Sequence, residues 1–174
     1  MAVDPHLHQQ SLAPIRWHRS RGPQTTYQTL ELAREMVGKS RNVIEWSQRV
    51  YGLGVEEMDT THAEFAALVN SIAQADAPED LHILFTKLLD HTRGHFTRES
   101  ELMRECGFKA IDEHEADHTR VLGDLERFAA MARRGMPDMA KAFVSEFLPG
   151  WFDAHAQTMD AALAQCVKTL RRQR

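Results

Sequence analysis

The sequence predicts an all-α protein, an up-down-up-down four-helix bundle preceded by a non-globular N-terminal arm. Two observations carry this. Four successive stretches repeat their apolar residues at three-four spacing, the period of a helix with one buried face. Short breaks marked by proline or glycine separate them, and short connections make consecutive helices antiparallel. The composition agrees: 174 residues, 43% apolar and 26% charged, suffice for one domain with a real core.

Residues 1–42 form the arm. Residues 1–26 are polar, carry Pro5, Pro14 and Pro23, and hold His6, His8 and His18, which read as solvated rather than as ligands. A short helix is expected over 27–38 through Leu30, Ala33, Met36 and Val37, ending near Gly38. A linker with Trp46, Tyr51 and Gly54 then leads into the bundle, taken as residues 43–172.

The first bundle helix is expected to start with Asp59 or Thr60 as its N-cap. Its inner stripe is His62, Phe65, Val69 and Ile72. The second opens at Pro78, a suitable first helical residue, with Glu79 and Asp80 in the first turn. Leu81, Leu84, Leu88, His95, Glu99, Leu102 and Cys106 line its inner face, and Gly107 stops it. The third carries Ile111, His114, His118, Val121, Leu125 and Phe128 and ends at Gly135. The fourth opens at Pro137 and runs through Val144, Phe147, Trp151, His155, Met159, Leu163 and Val167.

Imidazoles and a carboxylate on these apolar stripes need partners, because unpaired polar groups are costly to bury. His95 and Glu99 are four apart, as are His114 and His118, so each pair projects from one helix face one turn apart. His62, His155 and Asp160 complete a set of seven. Glu99 lies 8 residues before Gly107 and His114 lies 7 after it. The other arms pair off similarly, so all seven are expected at one level of the bundle, near the end holding the second turn. Imidazole plus carboxylate without thiolate suits iron, manganese or zinc. Seven ligands are too many for one such ion and about right for two. Asp160 fits least well: five residues after His155 is about 140° around an α-helix. Either it reaches across from the flank or a π-type widening turns it inward.

Other chemistry is excluded or subordinate. The net charge of −4 gives no reason to expect nucleic acid. No window approaches 18 uninterrupted apolar residues, so no membrane span is expected. The N-terminus lacks an apolar core of the signal-peptide kind, which favours the cytoplasm. Glu79-x-x-His82 and Glu115-x-x-His118 superficially match another di-iron pattern, but Glu79 and His82 flank Leu81 off the inner stripe. Cys106 and Cys166 are too few for a disulfide framework and are expected to fill core space.

Asp59-x-x-His62, His95-Phe96-x-x-Glu99-x-x-Leu102-Met103, His114-x-x-x-His118 and Trp151-x-x-x-His155-x-x-x-x-Asp160 together resemble the hemerythrin pattern in its bacterial form. Ile44-Glu45-Trp46 and Tyr51-Gly52-Leu53-Gly54 resemble the lead-in of that form, and the likeness spans roughly residues 43–170. It implies a non-haem di-iron centre that binds dioxygen reversibly, for storage, delivery or sensing. His114, His118 and His155 would hold one iron, and His62 and His95 the other. Glu99 and Asp160 would bridge them beside an oxo or hydroxo group. The iron with two histidines would keep an open position for oxygen. The alternative is a di-iron enzyme: an oxidase, a peroxidase or a nitric-oxide-handling protein. A signalling role, with the arm or basic tail meeting a protein partner, is a third reading.

Three positions depart from the family pattern. Phe152 stands where a leucine usually lies beside the oxygen pocket. His91, one turn before His95, replaces a commonly aromatic residue and could donate a proton near the site. Pro149-Gly150 interrupts the fourth helix just before Trp151, removing a backbone donor and inviting a kink.

Overall fold

A computed structural model describes residues 42–174; the helix expected over 27–38 lies outside them. Helix α1 (Gln48–Tyr51) is a single turn in the lead-in. Helices α2 (Glu56–Gln74), α3 (Pro78–Cys106) and α4 (Ile111–Arg133) form three sides of the bundle. The fourth side is one continuous helical run with two wide turns. It consists of α5 (Pro137–Ala142), a π turn Phe143–Phe147, α6 (Leu148–His155), a π turn Ala156–Asp160, and α7 (Ala161–Gln173).

The expected starts and stops hold where backbone chemistry set them. Pro78 and Pro137 each open a helix. Gly107 ends α3 at φ 66° and Gly135 follows α4 at φ 82°, in left-handed backbone that suits glycine. The start of α2 differs from expectation: it begins three residues before Asp59, with Val55 as N-cap. The Asp59 carboxylate is spent on the lead-in instead. It accepts hydrogen bonds from Leu53 N (2.7 Å), Gly54 N (3.1 Å) and Gln48 Nε2 (2.7 Å). Asn70 pins the lead-in one level further along, accepting from Val43 N and Ile44 N and donating to Ile44 O.

Pro149 does not break the fourth helix. The π turn ahead of it lets Leu148 N reach back to Phe143 O, and Pro149 then falls in the first turn of α6, where its missing N–H costs least.

The core is in two parts. A large apolar cluster includes Phe65, Val69, Ile72, Phe85, Leu88, Val121, Leu125, Val144, Leu148 and Phe152. A small one holds Val55, Met58, Met103, Leu163, Ala164 and Val167 near the second turn. Cys106 and Cys166, expected to act as separate space-fillers, are joined there by a disulfide with Cα atoms 5.8 Å apart. It links the end of α3 to α7, where the core is thinnest. In the basic tail, Arg171 pairs with Glu57 of α2.

Candidate metal centre

Between the two apolar clusters lies a buried polar layer: His62 from α2, His95 and Glu99 from α3, His114 and His118 from α4, His155 from α6 and Asp160 from the second π turn. None is more than 6% exposed. All seven residues expected to be ligands are therefore brought together, at the level the spacing required.

The wide turn Ala156–Asp160 explains the awkward five-residue step. Widening the helix brings Asp160 back to the face that carries His155, and their Oδ1 and Nε2 atoms lie 3.2 Å apart. Of the two routes left open for Asp160, the π widening is the one used.

The donor atoms fall into two overlapping groups. Glu99, His114, His118, His155 and Asp160 converge in one, and His62, His95 and Glu99 in the other. In the first, His155 Nε2 lies 3.1 Å from His114 Nε2 and 3.0 Å from His118 Nε2. Ligands bonded at ~2.1 Å and set at right angles stand ~3.0 Å apart, so this spacing suits three adjacent positions on one ion. Both carboxylates span the groups. Asp160 Oδ1 is 3.2 Å from His114 Nε2, and its Oδ2 is 3.2 Å from His62 Nε2. Glu99 Oε2 is 3.3 Å from His118 Nε2 and 3.7 Å from His95 Nε2, while Oε1 is 3.9 Å from His62 Nε2.

The layer is not satisfied by its own hydrogen bonds. Both oxygens of Glu99, Oδ1 of Asp160 and both ring nitrogens of His62 are buried without a well-aligned partner. Such orphans are costly in an apolar interior, and a bound cation would satisfy them together. The donor set and its buried orphans fit a pair of metal ions.

The protonation of the metal-free layer is uneven. Burial, reinforced by Asp160, pushes the Glu99 carboxyl well above the usual range. Burial opposes ionisation of Asp160 too, but the facing imidazoles of His114, His155 and His62 hold it well below. Burial drives His95 down, and with its neighbours His114 and His155 brings His118 down to about 3. Those rings stay neutral, the form that binds metal. Burial also works against charge on His155, but Asp160 and Asp117 outweigh it and raise its pKa.

Around the layer the packing is aromatic. Phe96 stacks on His118 at 3.6 Å between ring centres and 4° between planes. Trp151 stacks on His155. A cavity of about 10 Å³ is lined by His62, Phe65, His95, Phe96, Trp151, Phe152, His155 and Asp160. That is near the lower bound for holding one water-sized molecule. Phe152 thus lies against the site, packed edge-on to His62 and backed by Phe65 and Tyr51. His91 does not line the cavity. Its Nε2 lies 3.1 Å from the Thr61 carbonyl and its Nδ1 3.7 Å from Glu64.

Two features were missed in the sequence. Asp117 accepts hydrogen bonds at Oδ2 from His155 Nδ1 (2.9 Å) and Trp151 Nε1 (2.8 Å). Its pairing with a residue 38 positions away leaves no local periodic signal. The second is the stacking of the lead-in residues Trp46 and Tyr51, with Trp46 edge-on to His62 and Tyr51 against Phe152.

A helical bundle with a buried layer of five imidazoles and two shared carboxylates defines a class of metal-binding bundle proteins. The chain belongs to the hemerythrin family: the model of the hemerythrin HHE cation-binding domain matches residues 53–167. It is 31% identical over 118 residues to a bacteriohemerythrin of Ralstonia nicotianae, covering 68% of this chain and 84% of that protein. It is 30% identical over 121 residues to a bacteriohemerythrin of Aquifex aeolicus, covering 67% and 92%. Among solved structures, wild-type hemerythrin aligns with TM-score 0.63 at 20% identity over 71% of this chain and 97% of its own. A hemerythrin point mutant aligns with TM-score 0.65 at 19% identity over 73% and 98%. The bundle fold is therefore that of hemerythrin.

Proposed function

We propose that this protein binds dioxygen reversibly at a non-haem di-iron centre. His114, His118 and His155 would hold one iron and His62 and His95 the other, with Glu99 and Asp160 shared between them. The observation that carries this reading is that both carboxylates face both sets of histidines in a buried polar layer between two apolar clusters. When bound, the iron pair supplies the electrons that oxygen takes up and returns.

The chain's own residues keep the pocket small, dry and poor in protons. Phe65, Phe96, Trp151 and Phe152 wall the cavity beside His62 and His95. The indole N–H of Trp151 is committed to Asp117 and gives no proton inward. A pocket closed to water and to larger substrates lets bound oxygen leave unreacted. The enzymatic alternative depends on a proton donor such as His91. That ring is turned to the Thr61 carbonyl and Glu64, and burial, partly offset by them, lowers its pKa. This supports a carrier over an enzyme.

Storage, delivery and sensing are all compatible with this pocket. The proposed partner is dioxygen, with a protein partner at residues 1–42 as a further proposal. No described helix is long and apolar enough to cross a membrane. A cytoplasmic location is proposed. The Cys106–Cys166 bond argues the other way, since cytosolic thiols are mostly kept reduced. Thiol labelling of the protein in its own cells decides between them.

The test is the optical spectrum of the reduced, iron-loaded protein before and after oxygen, then under vacuum, with iron counted per chain. About two irons and a spectrum that returns under vacuum are expected. One iron per chain, or an irreversible change with catalytic peroxide turnover, would overturn the reading.

A further inference from the structure

We propose that Asp117 is a positioning residue for the metal centre, holding His155 in the tautomer and orientation that aim its Nε2 at the site. Asp117 stands on α4 beside His118, and its Oδ2 takes two N–H groups from the neighbouring helix. One is His155 Nδ1 at 2.9 Å and the other Trp151 Nε1 at 2.8 Å. Its other oxygen accepts from Arg120 Nη2 at 2.6 Å, which fixes the carboxylate plane.

The consequences follow from ring chemistry. A neutral imidazole has one N–H. With that proton on Nδ1 and given to Asp117, the Nε2 lone pair is left free toward His114, His118 and Asp160. The contact is selective, because Nδ1 of His62, His114 and His118 is buried without any hydrogen-bond partner. His118 is instead held by stacking on Phe96. His155 most needs a fixed orientation. It sits where α6 gives way to the π turn, whereas the other four histidines lie within uninterrupted α-helices. The same oxygen fixes the indole of Trp151, one wall of the small cavity, stacked 4.9 Å from His155. A carboxylate on the outer nitrogen also makes an imidazole a stronger donor to metal, and loss of such a partner typically costs 10–100-fold in affinity.

The proposal rests on the di-iron reading only for its iron measurements. Three full-length proteins are compared: the parent, Asp117→Leu, which removes the acceptor, and Asp117→Asn, which keeps an acceptor oxygen without the charge. In metal-free protein at pH 9, nitrogen-15 NMR of the histidine rings should find the His155 proton on Nδ1 in the parent. That preference should be retained in Asp117→Asn and lost in Asp117→Leu. In iron-loaded protein, transfer of iron to a chelator should speed up about 10–100-fold in Asp117→Leu and less in Asp117→Asn. Adding Asp117→Leu to His155→Ala should have no further effect on transfer.

A parent His155 protonated on Nε2 would overturn the proposal. So would unchanged iron transfer in Asp117→Leu, or an equal loss in the His155→Ala background, which would mark a general loosening of the fold. Should Asp117→Leu not fold, Asp117→Asn decides: slower or unchanged iron loss overturns the proposal, and a moderate acceleration upholds it. If the parent shows the Nδ1 proton yet takes up no iron, the positioning role stands and the di-iron reading fails.

Discussion

A carboxylate buried among imidazoles is costly unless a cation compensates it, and Glu99 is 1% exposed with both oxygens unpartnered. It faces His62, His95, His114 and His118 at 3.3 to 3.9 Å, whereas His62 serves one side of the layer only. Glu99→Ala should therefore retain less iron than His62→Ala. About one iron per chain is expected in the histidine variant and well under that in the glutamate variant. Equal iron in the two would show that Glu99 does not bridge. Phe152 poses a different question, since it is 3% exposed and closes the cavity beside His62. Phe152→Ala should cost about 3–5 kcal/mol of stability, as large core truncations do. It should also speed oxidation of the oxygenated form by admitting water and anions, whereas His91→Phe should leave that decay nearly unchanged. Stopped-flow decay of both variants checks this, and an effect of His91→Phe alone would favour the enzymatic reading.

Individual helices are kept in register by specific devices. The π turn at Ala156–Asp160 turns the second carboxylate inward, and the π turn at Phe143–Phe147 accommodates Pro149. Asp59 and Asn70 fasten the lead-in, so that Trp46 and Tyr51 cover the outer side of the site. The Cys106–Cys166 bond ties α3 to α7, the elements on either side of the small cluster. It closes a stretch with sequence separation 60. Replacing both cysteines by serine should lower unfolding free energy by about 2–4 kcal/mol. A denaturant titration of the metal-free protein in oxidising buffer measures it. Glu99 and Asp160 lie two helical turns from this bond, so iron content should change little. A variant pair as stable as the parent would mean the link forms no constraint in solution.

The bundle as a whole is two apolar clusters separated by a polar layer. Such a layer is a weak point without metal and a strong one with it, because binding free energy adds to folding free energy. Residues 43–174 contain all seven candidate ligands, both clusters and the disulfide. Deleting residues 1–42 should leave two irons per chain and the same thermal midpoint to within about 3 °C, a shift worth under 1 kcal/mol in a chain of this size. Iron analysis and a melting curve test this, and a truncated chain unable to hold iron would make the arm part of the core.

The fold class and the buried cluster of candidate ligands were legible in the sequence because both depend on periodicity. Three-four apolar spacing set the helices, proline and glycine set most of their ends, and histidine and carboxylate on those stripes marked the seven inward residues. Features that depend on contacts between distant segments were not legible. Asp59 looked like a helix cap, but the lead-in chain folds back to claim its carboxylate. Cys106 and Cys166 looked like space-fillers, because bonding requires the end of α3 to stand 5.8 Å from the middle of α7. The sequence left two routes for Asp160, and only the widened turn, held by packing along the whole fourth helix, selects one. Asp117 drew no attention in the sequence, because its role depends on the neighbouring helix bringing two N–H groups to one of its oxygens. Periodicity along a chain determines which face of a helix is buried, but which buried groups meet is decided only when the helices pack.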